Sequence, residues 1–238
     1  MSQNVLVVHG GGPTAVINAS LYGVIEEAKR NPEVGKVYGA IGGTGAIFSE
    51  TFIDLTSFDD EKLKLLLHTP ASAIGSSRYP LYEKDYEKMV DIFKKHDIKY
   101  VLLNGGNGTM DACGHIYEVC KDQDIKVVGI PKTIDNDIAM TDHSPGYGSA
   151  ARFIAASTQE VGEDVKSLPI HVCIMEAMGR NAGWITAASA LARRKQGDAP
   201  HLIYLPERNF NEDEFLEDVS RLQKKQGGVV VLVSEGLH

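Results

Sequence analysis

Cysteine is scarce in this chain, three among 238 residues, and Cys113, Cys120 and Cys173 stand at no metal-ligand spacing. An odd, sparse set excludes a disulfide framework and fits a reducing compartment, so the cytoplasm is the expected location. The eight histidines form neither H-x3-H nor H-E-x-x-H, which removes the usual zinc patterns. Nothing resembling a secretory leader precedes Val5, and no apolar run approaches the roughly 20 residues that span a bilayer. Cationic excess is also missing. With 24 Lys and Arg against 32 Asp and Glu, the net charge of -8 opposes nucleic acid or an anionic membrane as partner. Any anionic ligand therefore needs a local trap.

What is present is the composition of a soluble globular protein: 43% hydrophobic and 24% charged residues, with 24 glycines that belong in turns or ligand-facing loops. At roughly 150 residues per domain the length corresponds to about 1.6 domains. Short β-branched runs alternate with amphipathic segments, the mark of βαβ units and a mostly parallel sheet. Strands are expected at Val5–Val8, Val37–Ile41, Phe52–Leu55, Tyr100–Leu103, Lys126–Ile130, Ile170–Met175, His201–Leu205 and Val229–Val233. Helices are expected over Ile17–Arg30, Asp59–Leu67, Leu81–His96, Met110–Lys121, Ser149–Val165, Asn181–Arg194 and Glu212–Gln226. In the third of these, Tyr86, Met89, Val90 and Phe93 keep the i, i+3, i+4, i+7 spacing. Cys113 and Cys120, seven apart with Ile116 between, read as a helix core face. Turn-forming residues from Ile138 to Pro145 place a boundary there, between two α/β domains at 1–140 and 141–238.

The chemistry concentrates in loops after strands, and in a parallel sheet such loops share one edge. His9-Gly10-Gly11-Gly12-Pro13-Thr14 opens a helix, where bare N–H groups can cradle a phosphate. Gly105-Gly106-Asn107-Gly108-Thr109 repeats the device. Neither is a G-x-x-x-x-G-K-[ST] loop or a G-x-G-x-x-G fingerprint. Gly75-Ser76-Ser77-Arg78 adds a guanidinium after a glycine turn. Pro131 to Asp137 is the densest segment: Lys132, Thr133 and two carboxylates, Asp135 and Asp137, one residue apart, which on an extended backbone point to the same side. Alone it reads first as a solvated turn or an Asp helix cap; following a buried strand and facing two glycine loops, it reads as the catalytic loop. Met178-Gly179-Arg180-Asn181 places Arg180 at the next helix N-terminus, suited to a developing phosphoryl charge. Trp184 is expected to pack.

Together these segments, with Asn18, Gly146-Tyr147-Gly148, Ala150 and Ser234-Glu235-Gly236, resemble the 6-phosphofructokinase family, which includes ATP-dependent and pyrophosphate-dependent members. The resemblance runs through the whole chain. It implies Rossmann-like α/β architecture, with three-layer parallel sheets in two similar domains, the second incomplete. It also implies Mg2+-dependent phosphoryl transfer to the 1-hydroxyl of fructose 6-phosphate, and a homo-oligomer. By that likeness Asp135 is the general base, Thr133 hydrogen-bonds near the transferred group, and Asp137 orients or holds metal. Gly12, Arg78, Gly106, Asn107, Gly108, Thr109 and Lys132 meet the donor. Arg180 stabilises charge or holds the sugar phosphate, and Met178, Gly179 and Glu235 contact the sugar.

Two departures bear on this. Asn107 stands where the family has a metal-linked aspartate, leaving Asn107 and Asp137 as the candidate metal ligands. Gly108 replaces the aspartate that accompanies pyrophosphate use, which favours ATP, whereas Lys132 is typical of pyrophosphate users. The balance leans to ATP. The cross-subunit arginine of the family aligns with His171, and its later basic contacts fall beyond Glu235, so the sequence reads as part of a longer protein. Two other classes share part of the pattern. NAD kinases and lipid kinases share the Gly105–Thr109 loop but do not carry the Thr133–Asp137 segment, and a non-catalytic phosphate-binding regulatory module would tolerate Asn107.

Overall fold

The structure is a computed structural model, and it describes residues 3–168 and 172–238. The chain divides into two compact units, Met1–Lys132 and Thr133–His238.

In the first unit the elements run β1 (Gln3–His9), α1 (Ala15–Arg30), β2 (Val34–Ala40), α2 (Gly45–Phe48), β3 (Phe52–Asp54), α3 (Asp60–Lys64), α4 (Glu83–Lys95), β4 (Ile98–Gly105), α5 (Asn107–Cys120) and β5 (Lys126–Pro131). The sheet order is β3-β2-β1-β4-β5, parallel throughout except that β3 runs antiparallel to β2. Alternation along β1 explains the layers. Val5 and Val7 face a core with Leu21 and Ile25 of α1, whereas Leu6 and Val8 face Met89 and Phe93 of α4 and Cys113, Ile116 and Cys120 of α5. Burial on both faces is what a near-continuous Val/Leu strand requires, and the expected cysteine core face is present. At the start of α4 the Asp85 carboxylate reaches back to accept the Tyr82 N–H at 3.1 Å.

The second unit holds α6 (Tyr147–Ser167), β6 (Val172–Ala177), α7 (Trp184–Ala188), β7 (Leu202–Tyr204), α8 (Glu212–Gln226) and β8 (Val229–Ser234). Its parallel sheet has the order β6-β8-β7. Ile154 and Val165 of α6 and Ile185 and Ala188 of α7 pack against Val230 and Leu232 of β8. The Asn211 side chain caps α8, and Gly227 ends it at φ 83°.

The α/β class with parallel sheets is as expected, but several elements differ. The helix expected at Asp59–Leu67 is α3 followed by a 3-10 turn, Leu65–His68. The helix expected at Met110 begins at Asn107, so Asn107, Gly108 and Thr109 form a first helical turn and not a loop. The helix expected at Asn181–Arg194 shrinks to α7 and a 3-10 turn, Ser189–Ala192, and the Glu207 carboxylate accepts the N–H of Gly183, the N-cap of α7, at 2.7 Å. The strand expected from Ile170 begins outside the described residues and is seen from Val172. The strand-end loops do not share a single sheet edge: those after β1, β4 and β5 belong to one sheet, those after β6 and β8 to another.

Candidate functional site

In the first unit β1, β4 and β5 are parallel neighbours, so their carboxyl-end loops emerge side by side. Contact at the glycines is tight. A Cβ on Gly10 would fall on the Thr109 side chain, and one on Gly105 would meet both Thr109 and the Gly10 carbonyl oxygen. Thr109, expected at the donor, is thus a buried plug between the two loops. Gly12 and Gly108 are the opposite case, with nothing within 4 Å of a built Cβ. Gly106 caps α5, whose first turn carries Asn107 and Gly108. Lys132 straps these loops together: its N–H donates to the Gly105 carbonyl at 2.8 Å, and its buried ammonium donates to the Gly12 carbonyl.

The Gly75–Arg78 turn lies on the first loop. The Gly11 N–H donates to Ser77 O at 3.1 Å, and Ser76 Oγ donates to Gly11 O at 2.7 Å. Arg78 is exposed and makes no ion pair among the described residues. Behind the turn, Asn18 is fully buried on α1. Its amide donates to Thr69 O and Ala71 O and accepts from the Ala73 N–H. His9 is fully buried too, with Nδ1 at 2.8 Å from Ser72 Oγ. Burial, and then the Lys132 ammonium, push its imidazole down to about 4.

The second unit gathers charge. Thr133 is buried, its N–H bonded to Pro145 O at 3.1 Å, and its hydroxyl accepts the Asp135 N–H at 3.1 Å. The segment is not extended as expected, because Asn136 sits at φ 57° and pins the following turn by accepting the Ser144 N–H at 2.7 Å. The two carboxylates nevertheless converge, on Arg180: Nε lies 3.4 Å from Asp135 and Nη2 2.6 Å from Asp137. Burial, and then the Asp137 charge, raise the Asp135 carboxyl above the usual range, with Arg180 opposing.

Arg180 is not at a helix N-terminus, since α7 begins after Gly183. Instead it occupies a left-handed turn, φ 52°, preceded by Gly179 at 135°. Glu235 holds that turn: its Oε1 accepts the N–H of Gly179 at 2.9 Å and of Arg180 at 2.6 Å, while Oε2 makes no hydrogen bond among the described residues. A Cβ on Gly236 would fall on the Arg180 carbonyl, so Ser234-Glu235-Gly236 forms a seat for the turn. Met178 is 62% exposed, and Trp184, expected to pack, is 53% exposed. His171 lies outside the described residues.

Sequence reasoning assigned no role to His9, Ser72, Asn136 or Gly236. A histidine closing the apolar run Val5–Val8 and an asparagine between two aspartates were the signals present, the latter because Asn tolerates the left-handed region.

No group of three or more His, Cys, Asp or Glu among the described residues could hold a metal. Mg2+ keeps several waters and is often held by one or two carboxylates plus substrate phosphates, so the Asp135 and Asp137 pair is a chemically sufficient donor set for an ion that arrives with phosphates. No helix among the described residues is long and apolar enough to cross a membrane.

The family model described as Phosphofructokinase matches residues 4–238. The chain belongs to the phosphofructokinase family. It is 44% identical over 236 residues to pyrophosphate–fructose 6-phosphate 1-phosphotransferase of Rhodospirillum rubrum, covering 98% of this chain and 58% of that protein. It is 30% identical to the ATP-dependent 6-phosphofructokinase of Amycolatopsis methanolica, covering 97% of this chain and 50% of the relative. The crystal structure of a pyrophosphate-dependent phosphofructokinase from Marinobacter aquaeolei superposes with a TM-score of 0.90 at 40% identity, covering 99% of this chain and 61% of that one. The chain therefore spans somewhat over half the length of such relatives.

Proposed function

We propose that this chain carries the catalytic residues of a 6-phosphofructokinase, transferring a phosphoryl group to the 1-hydroxyl of fructose 6-phosphate. The observation that carries this reading is the convergence of Asp135 and Asp137 on Arg180, with the Asp135 carboxyl raised towards the range where a general base works. In the step, the sugar O1 attacks the donor's terminal phosphorus, its proton passes to Asp135, and the bond to the leaving phosphate breaks. Thr133 positions the Asp135 backbone. Arg180 balances the paired carboxylates and the charge that spreads over the transferred group. Met178, Gly179 and Glu235 contact the sugar, Glu235 through Oε2. On the donor side, Gly12 and Gly108 offer open backbone, Gly106 and Asn107 the start of α5, Arg78 a free-standing guanidinium, and Lys132 and Thr109 the frame. Mg2+ would supply charge neutralisation on the donor phosphates when bound, with Asp137 as its protein ligand in the second unit. A homo-oligomer in the cytoplasm follows from the same family reading.

The donor favoured is pyrophosphate, because the 44% identical relative bears that name while the ATP-dependent one is 30% identical. ATP, the expectation from residues alone, stands as the second reading on one observation: Gly108 leaves open space where a carboxylate would crowd a nucleotide. Phosphorus NMR of the chain with Mg2+, fructose 6-phosphate and each donor tests both. Fructose 1,6-bisphosphate with inorganic phosphate is expected from pyrophosphate. Product from ATP alone reverses the donor assignment, and no product from either overturns the function.

A further inference from the structure

We infer that His9, as a neutral imidazole protonated on Nδ1, is a positioning residue that fixes the Gly75–Arg78 turn through Ser72. The inference rests on the reading of that turn as part of the donor site. The hydrogen-bond directions assign the tautomer. Ser72 Oγ is 2.8 Å from the Gly75 carbonyl oxygen, which can only accept, so the hydroxyl proton goes there. The same Oγ lies 2.8 Å from His9 Nδ1 and must accept from it, so Nδ1 carries the proton and Nε2 the lone pair. Nε2 is buried and makes no hydrogen bond among the described residues.

What the relay holds is a turn under constraint. Gly75 has φ 74°, its N–H returns to Ser72 O at 3.2 Å, and the two residues beyond it bond to Gly11. Asn18 fixes the chain at 69–73, ahead of the turn. His9 acts at the other end, on Ser72 and the Gly75 carbonyl, so the direction in which Ser76, Ser77 and Arg78 leave depends on it. A charged imidazole could still donate from Nδ1, but it would set a second buried cation beside Lys132, which explains why the neutral form is held.

The tautomer is read by nitrogen NMR of the histidine-labelled chain at pH 7. A protonated Nδ1 with an unprotonated Nε2 at His9 is expected, and the reverse tautomer overturns the inference. His9→Asn keeps an N–H near the Nδ1 position, and His9→Leu removes it. Exchange protection of the Gly11 amide should fall at least tenfold in His9→Leu and recover to within threefold in His9→Asn. The affinity for pyrophosphate or MgATP, whichever the parent binds, should follow the same pattern, with KM for fructose 6-phosphate unchanged. Equal protection and donor affinity in parent and His9→Leu overturn the role. Ser72→Ala, expected to match His9→Leu, replaces it if the leucine variant does not fold. If the parent binds neither donor, the donor-site reading fails, while the tautomer and Gly11 protection still decide the relay.

Discussion

The candidate residues of the two units work by opposite means. In the first unit the candidate surface is backbone. Glycine loops after β1 and β4 are pressed together by Thr109, strapped by Lys132 and backed by a neutral histidine, with one exposed guanidinium at Arg78. In the second unit it is side-chain charge, with two aspartates flanking Asn136 at positive φ, an arginine on a left-handed turn and a glutamate that holds that turn. A backbone cradle is specified by what is missing, the side chains that would fill it. A charge cluster is specified by what opposes what. Sterics should therefore dominate substitutions in the first unit, and electrostatics those in the second.

The largest effect expected from that contrast is at Asp135. Asp135→Asn keeps the shape and removes the proposed base, so turnover should fall by about 10²–10⁴-fold with an unchanged thermal midpoint, read by coupled assay and calorimetry side by side. Arg180→Met sharpens the point. Burial and the Asp137 charge raise the Asp135 carboxyl while Arg180 lowers it, so losing the arginine raises it further. The base must be ionised, hence activity falls as pH drops through its pKa, and the acid limb of the pH–rate profile should move to higher pH in Arg180→Met. A limb that stays in place breaks the electrostatic account of this unit.

This division also governs what was legible in the sequence. The strand–loop–helix order of the first unit could be read because glycine runs and β-branched runs are local signals, and Val5–Val8 buried on both faces behaves as its composition dictates. The role of Thr109 could not, since it lies in the approach of Gly10 to Gly105, positions 95 apart in the chain. In the second unit the residues were found but their geometry was not. Asn136 reads in the sequence as one step of an extended segment, yet it is left-handed and its amide oxygen captures the Ser144 N–H. Arg180 reads in the sequence as a helix N-terminus, yet it occupies a left-handed turn whose N–H, with that of Gly179, is held by Glu235 from 55 residues away. Long-range side-chain acceptors of this kind leave no periodic trace.

An intermediate effect should come from His9, the titratable group of the backbone-built site. Its folded pKa of about 4 lies below the unfolded value of 6.5, so between these pH values the unfolded chain binds more protons. Stability therefore declines as pH falls from about 6.5 and levels off near 4, a loss of about 3 kcal/mol. Urea unfolding of the parent and His9→Asn at pH 7 and pH 5 isolates it. The parent should lose more than the variant, and equal losses would show that His9 is charged in the fold.

The smallest effect is the cleanest test of the steric half of the comparison. Gly105 and Gly12 both lie in the glycine loops, and neither has a positive φ, so alanine strains the backbone at neither. They differ in surroundings alone. Gly105→Ala drives a methyl into Thr109 and the Gly10 carbonyl, between elements that cannot part without breaking the Lys132 strap, and should cost about 1–3 kcal/mol. Gly12→Ala meets nothing and reduces unfolded-chain entropy, so stability should hold or rise by about 0.4–1 kcal/mol. Donor affinity should respond the other way for Gly12→Ala: the methyl stands in the open space and should weaken pyrophosphate binding by calorimetry although the fold is intact. If Gly12→Ala destabilises as much as Gly105→Ala, the open loop is structural and the cradle reading fails. If it leaves both stability and donor affinity untouched, the phosphate lies elsewhere on this sheet edge, and Gly106 to Gly108 become the positions to test.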